Sequence, residues 1–314
     1  MKLRFPWARR RIRYVDACIF CNEVDLLTIR LEELWERVDY FVVIESNVTH
    51  SGQAKPLFFI EHQARFKPYS DKLIYRAITN IPPAPSKTEE ERWLRENAQR
   101  DSITGAVSEL SLSPDDIIIV SDVDEIPRAS RLDRLGNLLA AREYVIFVQA
   151  NFRGYINNTS DLALNGASWA GSVACRASTL LREGAHQIRR GRNKSGHVLV
   201  DRSKEFIYLD DSGWHFSSFG GPEAFWLKAA NFSHIDDPYR VIRLGEAVPK
   251  QQVFNTALNR EQCRALQQQY LAHCVAPSFS PLEFDAFKIN QDVPAFLLRE
   301  KERFRSYFFF TDLN

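Results

Sequence analysis

Asp122 and Asp124 close the run Ile117-Ile-Ile-Val-Ser-Asp-Val-Asp-Glu-Ile-Pro127, in which an apolar stretch stops abruptly at two carboxylates one residue apart. On an extended backbone, alternate residues face the same side, so both carboxylates can enter one cleft. Two such groups repel unless a cation lies between them, and hard divalent ions take oxygen ligands of this kind. A nucleotide diphosphate needs the same cation to neutralise its charge as it leaves. Asp122, Asp124 and Glu125 also suit a plain structural role, as an acidic cap where a strand gives way to a helix.

A second constellation is Gly213-Trp-His-Phe-Ser-Ser-Phe-Gly-Gly221, which sets His215 in a glycine-rich aromatic loop. Neutral imidazole can complete a carboxylate and phosphate shell around a manganese-like ion, and glycines let backbone amides approach phosphate. A lone histidine also serves as an ordinary hydrogen-bonded group. In the third, Trp93-Leu-Arg-Glu-Asn-Ala-Gln-Arg100, Arg95 and Gln99 share a helix face while Arg100 points elsewhere. Either arginine can grip a diphosphate bidentately, or both can belong to a solvated face. Glu45, at the end of an apolar run, and Lys55, ten residues on, fit contacts to ribose and phosphate, or an ordinary polar loop.

These groups need a scaffold. Tyr14–Phe20, Tyr40–Ile44, Leu73–Ala77, Ile117–Val120 and Tyr144–Val148 are apolar runs of strand length. Helical patterns separate several of them, at 23–38, with Leu26, Leu27, Leu31, Leu34 and Trp35 as its apolar stripe, and at 87–110, opened by a Thr88/Glu91 capping box. The alternation predicts an α/β fold, a doubly wound and mostly parallel sheet flanked by helices. Ligands of such sheets bind outside the carboxyl ends of the strands, where Glu45 and Asp122/Asp124 fall. The division expected is a basic tail over 1–12, a nucleotide-binding half over 13–150, an acceptor half of the same domain over 151–275, and an extension over 276–314. In the acceptor half, Phe206–Leu209 reads as a strand, 210–221 as a loop, and 222–232 and 239–245 as helices.

With 314 residues, 45% of them hydrophobic, the chain is long enough for one large domain. Forty-one basic against 40 acidic residues leave a net charge of +1, which offers no general attraction to nucleic acid. Five cysteines make no disulfide framework. The Cys18-Ile-Phe-Cys21 pair sits in an apolar run and reads as core thiols before a zinc or redox pair. No apolar run reaches 18 residues. The basic first residues, Lys2 to Arg13 with Phe5 and Trp7, fit a solvated tail or weak attachment to an anionic membrane face.

Taken in order, several segments resemble glycosyltransferase family seventeen. They are Phe20-Cys-Asn-Glu23, Arg30-Leu-x-Glu-Leu34, Val38-Asp-Tyr-Phe-Val-Val-Ile-Glu-Ser46, Thr49-His-Ser-Gly52 with Lys55-Pro-Leu57, Arg95-Glu-x-x-Gln-Arg100, Ser121-Asp-Val-Asp-Glu-Ile-Pro127, Gly213-Trp-His-Phe-Ser217 and Phe232-Ser-His234. The resemblance runs from about Val15 to about Asp237. It implies a GT-A fold, a UDP-sugar donor (UDP-N-acetylglucosamine foremost), Mn2+ or Mg2+, inversion at the anomeric carbon and a glycan acceptor. Asp122 and Asp124 stand at the family's DxD positions and His215 at its Gly-Trp-His position. Glu23, Glu45, Lys55, Arg95, Arg100 and Asp122 are the expected nucleotide contacts. The expectation is a bacterial-type, cytoplasmic member without the amino-terminal anchor of the animal enzymes, at most peripheral to the inner membrane, acting in polysaccharide biosynthesis or on a lipid-linked saccharide.

Direct displacement requires a base within reach of the acceptor hydroxyl. Glu223, Asp236 and Asp211 are the candidates, Glu223 preferred. Two other classes compete. Val120-Ser-Asp-Val-Asp124 is also similar to the strand-end motif of haloacid-dehalogenase-type phosphatases, and Trp169, Trp214 and Trp226 fit a non-catalytic carbohydrate-binding protein.

Overall fold

The computed structural model describes residues 10–81, 83–154, 156, 168–190, 206–220, 224, 228 and 292–307. Strand β1 (Tyr14–Phe20) leads into helix α1 (Val24–Leu34) and strand β2 (Tyr40–Ser46). Two short helices, α2 (Phe58–Glu61) and α3 (Gln63–Phe66), precede β3 (Leu73–Ile78). Helix α4 (Glu89–Ser108) delivers the chain to β4 (Ile117–Asp122), and the three-residue β5 (Glu125–Pro127) follows at once. Next come α5 (Leu135–Ala141), β6 (Tyr144–Arg153), β7 (Ser168–Arg176), α6 (Ala177–Glu183) and α7 (Ala185–Arg190). Strands β8 (Phe206–Leu209) and β9 (Gly213–Ser217) and helix α8 (Ala295–Arg299) complete the described elements.

The strands form one sheet in the order β3-β2-β1-β4-β7-β6-β9-β5, with β8 also on β6. Five of the eight pairings are parallel, so the expected α/β architecture with a mostly parallel sheet is present. Side-chain alternation builds a core on each face. Ile117 and Ile119 of β4 pack with Leu27, Leu31 and Leu34 of α1 and Leu135 and Leu139 of α5. Ile118 and Val120 pack on the other face with Ile103 and Val107 of α4, Leu180 of α6 and Ile188 of α7. Each fully buried aliphatic side chain of this kind stabilises the fold by about 1.5–3 kcal/mol. A third cluster joins Leu26 and Ile29 of α1 to Ile126, Trp214, Phe216, Phe296, Leu297 and Phe304, docking the 292–307 segment beside β5 and β9.

Boundaries shift where backbone bonding overrides pattern. Helix α1 stops at Leu34, not 38, because the Leu34 carbonyl accepts from both Arg37 and Val38 and the chain turns to join Asp39 to Tyr14. Thr88 caps α4 by accepting from the Glu91 amide, while the Glu91 carboxylate reaches the Lys87 amide in place of Thr88's own. β6 continues to Arg153, so the division expected at residue 150 falls inside a strand. The loop expected over 210–221 contains β9, which pairs with both β5 and β6. Gly213 has φ +148° there, and a Cβ on it would sit 2.1 Å from the Ile126 carbonyl, so the close passage of β5 accounts for this glycine rather than a phosphate. The helices expected at 222–232 and 239–245 lie outside the described residues, save that Ala224 and Lys228 are helical.

Of the basic tail, residues 10–12 are described. Arg10 pairs with Asp116 at 3.7 Å, Arg11 with Asp39 at 3.0 Å, and Ile12 packs on the core. Cys18 is buried in β1, and burial pushes the Cys18 and Cys21 thiols up to about 12, consistent with core thiols. Among the described residues no helix is long and apolar enough to cross a membrane.

The turn before β4 is locked by Asp116, which accepts from the amides of Arg13 and Ser113 and from the Arg13 guanidinium. Burial raises its pKa, but these donors outweigh burial and hold it below its ordinary 3.8. The folded-state value is thus below the unfolded one. Its stabilisation is complete above pH 3.8 and is lost as pH falls through the lower folded-state value. Asp116→Asn is expected to cost about 1–3 kcal/mol at neutral pH and to flatten the acid limb of stability. Urea midpoints measured from pH 7 downward check both.

Candidate active site

The backbone that presents the acidic pair is held by one buried cation. Arg30, on α1, is fully buried; its Nε and Nη2 grip the two Asp16 oxygens at 2.6 Å each. Nη2 also donates to Ser121 Oγ, and Nη1 donates to the carbonyls of Asp122 at 3.2 Å and Glu125 at 2.7 Å. Burial opposes the charge on Arg30, but Asp16 beside it raises its pKa, so the guanidinium stays charged. A bidentate guanidinium thus satisfies carbonyls that have left the β4 ladder.

Asp122, at the end of β4, is held on both oxygens. Arg100 Nη2 reaches Oδ1 at 2.7 Å and Arg189 Nη2 reaches Oδ2 at 3.0 Å. Arg100 also binds Glu96 at 2.9 Å, and Arg189 also binds both Glu125 oxygens, at 3.0 and 2.8 Å. Glu96, Arg100, Asp122, Arg189 and Glu125 therefore form a row of alternating charge. Trp169 Nε1 donates to Glu125 Oε1 at 2.9 Å. Asp122 is 28% exposed, whereas Arg100 and Arg189 are nearly closed off from water.

Asp124 faces a different set. Its Oδ2 accepts from Lys228 Nζ at 2.6 Å and stands 3.7 Å from His215 Nε2. Burial raises the Asp124 pKa, but Lys228 and then His215 outweigh it and leave the group below its ordinary value. β5 pairs with β9 so that Glu125 lies opposite His215, which brings the Gly-Trp-His segment to the acidic pair. The His215 ring stacks on Trp169, centroids 4.4 Å apart, and its Nδ1 meets Asn151 Oδ1 at 2.9 Å. Because an amide oxygen only accepts, Nδ1 donates in that contact, which leaves Nε2 as the ring nitrogen facing Asp124.

Among the described residues, no group of three or more His, Cys, Asp or Glu side chains is placed to hold a metal ion. The donor set fits a cation that arrives with most of its ligands on a diphosphate, since magnesium-like ions commonly take one or two protein carboxylates and complete their shell with phosphate and water. Asp124 and His215 are the converging pair, and Asp122 is the adjoining carboxylate.

The other expected contacts are placed as follows. Glu45 is fully buried and accepts from Lys55 Nζ at 2.6 Å, the amides of Phe58 and Phe59, and the Tyr75 hydroxyl. Lys55 Nζ also donates to the carbonyls of Cys21 and Pro56. This differs from the expected ribose and phosphate contacts: four protein donors surround Glu45, and three protein acceptors take the ammonium of Lys55. Arg95 is spent on the Ala84 carbonyl and Ser86 Oγ, fixing the proline-rich loop. Glu23 accepts from the amides of Cys21 and Asn22 at the β1–α1 turn. Asp211 precedes β9 at φ +51° and is held by Arg128 and Arg131. Glu223 and Asp236 lie outside the described residues.

Sequence reasoning missed Arg30, Asn151, Arg189 and Lys228. A signal existed for two of them. Arg30 interrupts the apolar stripe of α1 as Asp16 interrupts β1, and charges in two buried patterns mark a pair. Gln149 and Asn151 are polar residues alternating within a strand that is otherwise apolar. Arg189 and Lys228 belong to no pattern.

A model described as glycosyltransferase family 17 matches residues 5–309. The human β-1,4-mannosyl-glycoprotein 4-β-N-acetylglucosaminyltransferase is 30% identical over 256 residues, 72% of this chain and 44% of that protein. The rat protein of the same name matches equally, and the mouse protein is 29% identical. The match thus spans less than half the length of these relatives. Among solved structures, a mannosyltransferase from Pyrobaculum calidifontis in complex with GDP-mannose and Mn2+ is 14% identical with a TM-score of 0.37, covering 86% of this chain and 75% of that one. Glucosyl-3-phosphoglycerate synthase from Mycobacterium tuberculosis, in complex with Mn2+, UDP and phosphoglyceric acid, is 13% identical with a TM-score of 0.35, covering 85% and 80%.

Arg30→Met strands the buried Asp16 charge and is expected to cost about 3–5 kcal/mol, whereas adding Asp16→Leu restores most of that stability. Chemical denaturation of the single and double variants tests this. The His215 tautomer is expected to be Nδ1–H, and Asn151→Ala is expected to mix the two tautomers, as read from imidazole nitrogen chemical shifts.

Proposed function

The chain belongs to glycosyltransferase family 17, and from that premise we propose that it transfers a sugar from a nucleotide diphosphate donor to a glycan acceptor. The observation that carries this reading is Asp124, 3.7 Å from His215 just past the carboxyl end of β4, where open α/β sheets receive ligands. We take the architecture as GT-A-like. The relatives' name makes UDP-N-acetylglucosamine the first donor to test and a mannose-bearing glycan the first acceptor.

Asp124, His215 and Asp122 would hold a divalent cation, Mn2+ or Mg2+, which supplies neutralising charge to the departing diphosphate. Asn151 and Trp169 keep His215 Nε2 aimed at that position. Arg100 and Arg189 act through Asp122, fixing its carboxylate from behind. Glu23 contributes charge at the same cluster, and Glu45, Lys55 and Arg95 serve it indirectly by fixing the chain around β2 and the loop before α4. The acceptor hydroxyl attacks the anomeric carbon as the bond to the diphosphate oxygen breaks, and a carboxylate takes the hydroxyl proton, with inversion at that carbon. Glu223, five residues before Lys228 in the chain, is the preferred base. Asp236 is the second choice, and Asp211 the third, because two guanidinium groups already hold it.

A haloacid-dehalogenase-type phosphatase is not favoured: its aspartate motif usually sits on the chain's first strand, whereas Asp122-Val-Asp124 stands at the end of the fourth, β4, and runs into Glu125-Ile-Pro127. A purely carbohydrate-binding role leaves the row of alternating charges unaccounted for.

A panel of nucleotide sugars with Mn2+, read by thermal shift, is expected to pick out the UDP-sugar by stabilisation through mass action. Asp124→Asn is expected to lower donor turnover by roughly a hundredfold or more, and undiminished turnover sinks the assignment. With saturating donor, the variant lacking the base among Glu223→Gln, Asp236→Asn and Asp211→Asn is expected to lose roughly 10²–10⁴-fold in transfer while donor binding persists.

A further inference from the structure

Among the described residues three cations, Arg100, Arg189 and Lys228, reach the acidic pair, and they differ in exposure and reach. Arg100 and Arg189 are 5% and 3% exposed and each bridges two carboxylates. Lys228 is 25% exposed and reaches Asp124 Oδ2 with a single ammonium on a flexible four-carbon stem. Asp124 Oδ2 and His215 Nε2 face each other at 3.7 Å. Asp124 Oδ2 is therefore shared between Lys228 Nζ at 2.6 Å and His215 Nε2 at 3.7 Å, so a positive charge already stands against the carboxylate that His215 faces.

We propose that Lys228 is a resident counter-ion at the cation position of Asp124 and His215, displaced when a divalent cation arrives with the donor diphosphate. This rests on the glycosyltransferase reading above. A divalent ion entering alone must evict the ammonium or bind beside it, so its affinity for the free protein is weak. A diphosphate offers the evicted ammonium new acceptor oxygens, so cation and nucleotide bind with positive coupling, each raising the other's affinity by the same factor. Lys228 thereby keeps Asp124 neutralised between turnovers and ties cation binding to the presence of donor.

The test is a Mn2+ titration of the full chain, followed by the electron paramagnetic resonance signal of free Mn2+, with and without UDP. Lys228→Met, or Lys228→Gln if the first fails to fold by circular dichroism, is expected to bind Mn2+ alone roughly tenfold or more tightly than the native protein, since a charge repelling the ion is gone. The same variant is expected to lose most of the UDP dependence, while Lys228→Arg keeps it. Mn2+ affinity unchanged or weakened in the neutral variants overturns the displacement. If Asp124→Asn still abolishes Mn2+ binding in that case, the metal site itself stands. Absence of Mn2+ binding to the native protein even with UDP overturns both the displacement and the metal part of the proposed function.

Discussion

The acidic pair can exist where it does because Arg30 is buried against Asp16. β4 lies mid-sheet between parallel β1 and antiparallel β7, and β1 runs beside it as far as Asp122. Past that point the chain must leave the ladder to present Asp124, and its carbonyls lose their strand partners. Arg30 takes two of them, Asp122 and Glu125, while its other face is neutralised by Asp16 from within β1. A buried ion pair is not in itself a source of stability, since desolvation offsets much of the attraction. Here the pair does positional work: it ties β1, α1 and the turn after β4 into one rigid unit.

On that unit the site is built as a sequence of opposite charges. Glu96 holds Arg100, Arg100 and Arg189 hold Asp122, and Arg189 with Trp169 holds Glu125. Each buried charge has a partner of opposite sign, which is the condition for keeping charge out of water. The row fixes Asp122 rigidly. Asp124, two residues on, escapes it and meets Lys228 and His215 instead. The two aspartates of one short motif therefore differ in kind: one is clamped by two arginines nearly closed off from water, and the other meets a partly exposed lysine.

The same economy of partners explains Glu45, Lys55 and Gln99. Parallel strands end in groups that need covering. Gln99 of α4 donates to the carbonyls of Phe20 and Ile44 at the ends of β1 and β2. Glu45 accepts from the amides that open α2 and from Tyr75 and Lys55. These polar residues lie at the rim where ligands bind, yet they serve to close the scaffold around it.

The local pattern determined the first four parallel strands, α1, α4 and its Thr88 cap, and the place of Asp122 and Asp124 at a strand end, because burial period and capping act over a few residues. The pattern also marked His215 as a companion of the acidic pair through the resemblance of Gly213-Trp-His to a known family. It could not show β7, β9 or the reach of β6 to Arg153, since antiparallel and mixed pairing joins residues far apart in the chain whose composition alone reads as loop. Nor could it show which charges neutralise which. Glu45 and Lys55 looked like ligand contacts until packing closed them on one another, and Arg30, Arg189 and Lys228 gained their roles only when the fold brought these side chains to the end of β4. A charge's type is written in the sequence, but its partner is set by where the chain returns, and that is a property of the tertiary structure.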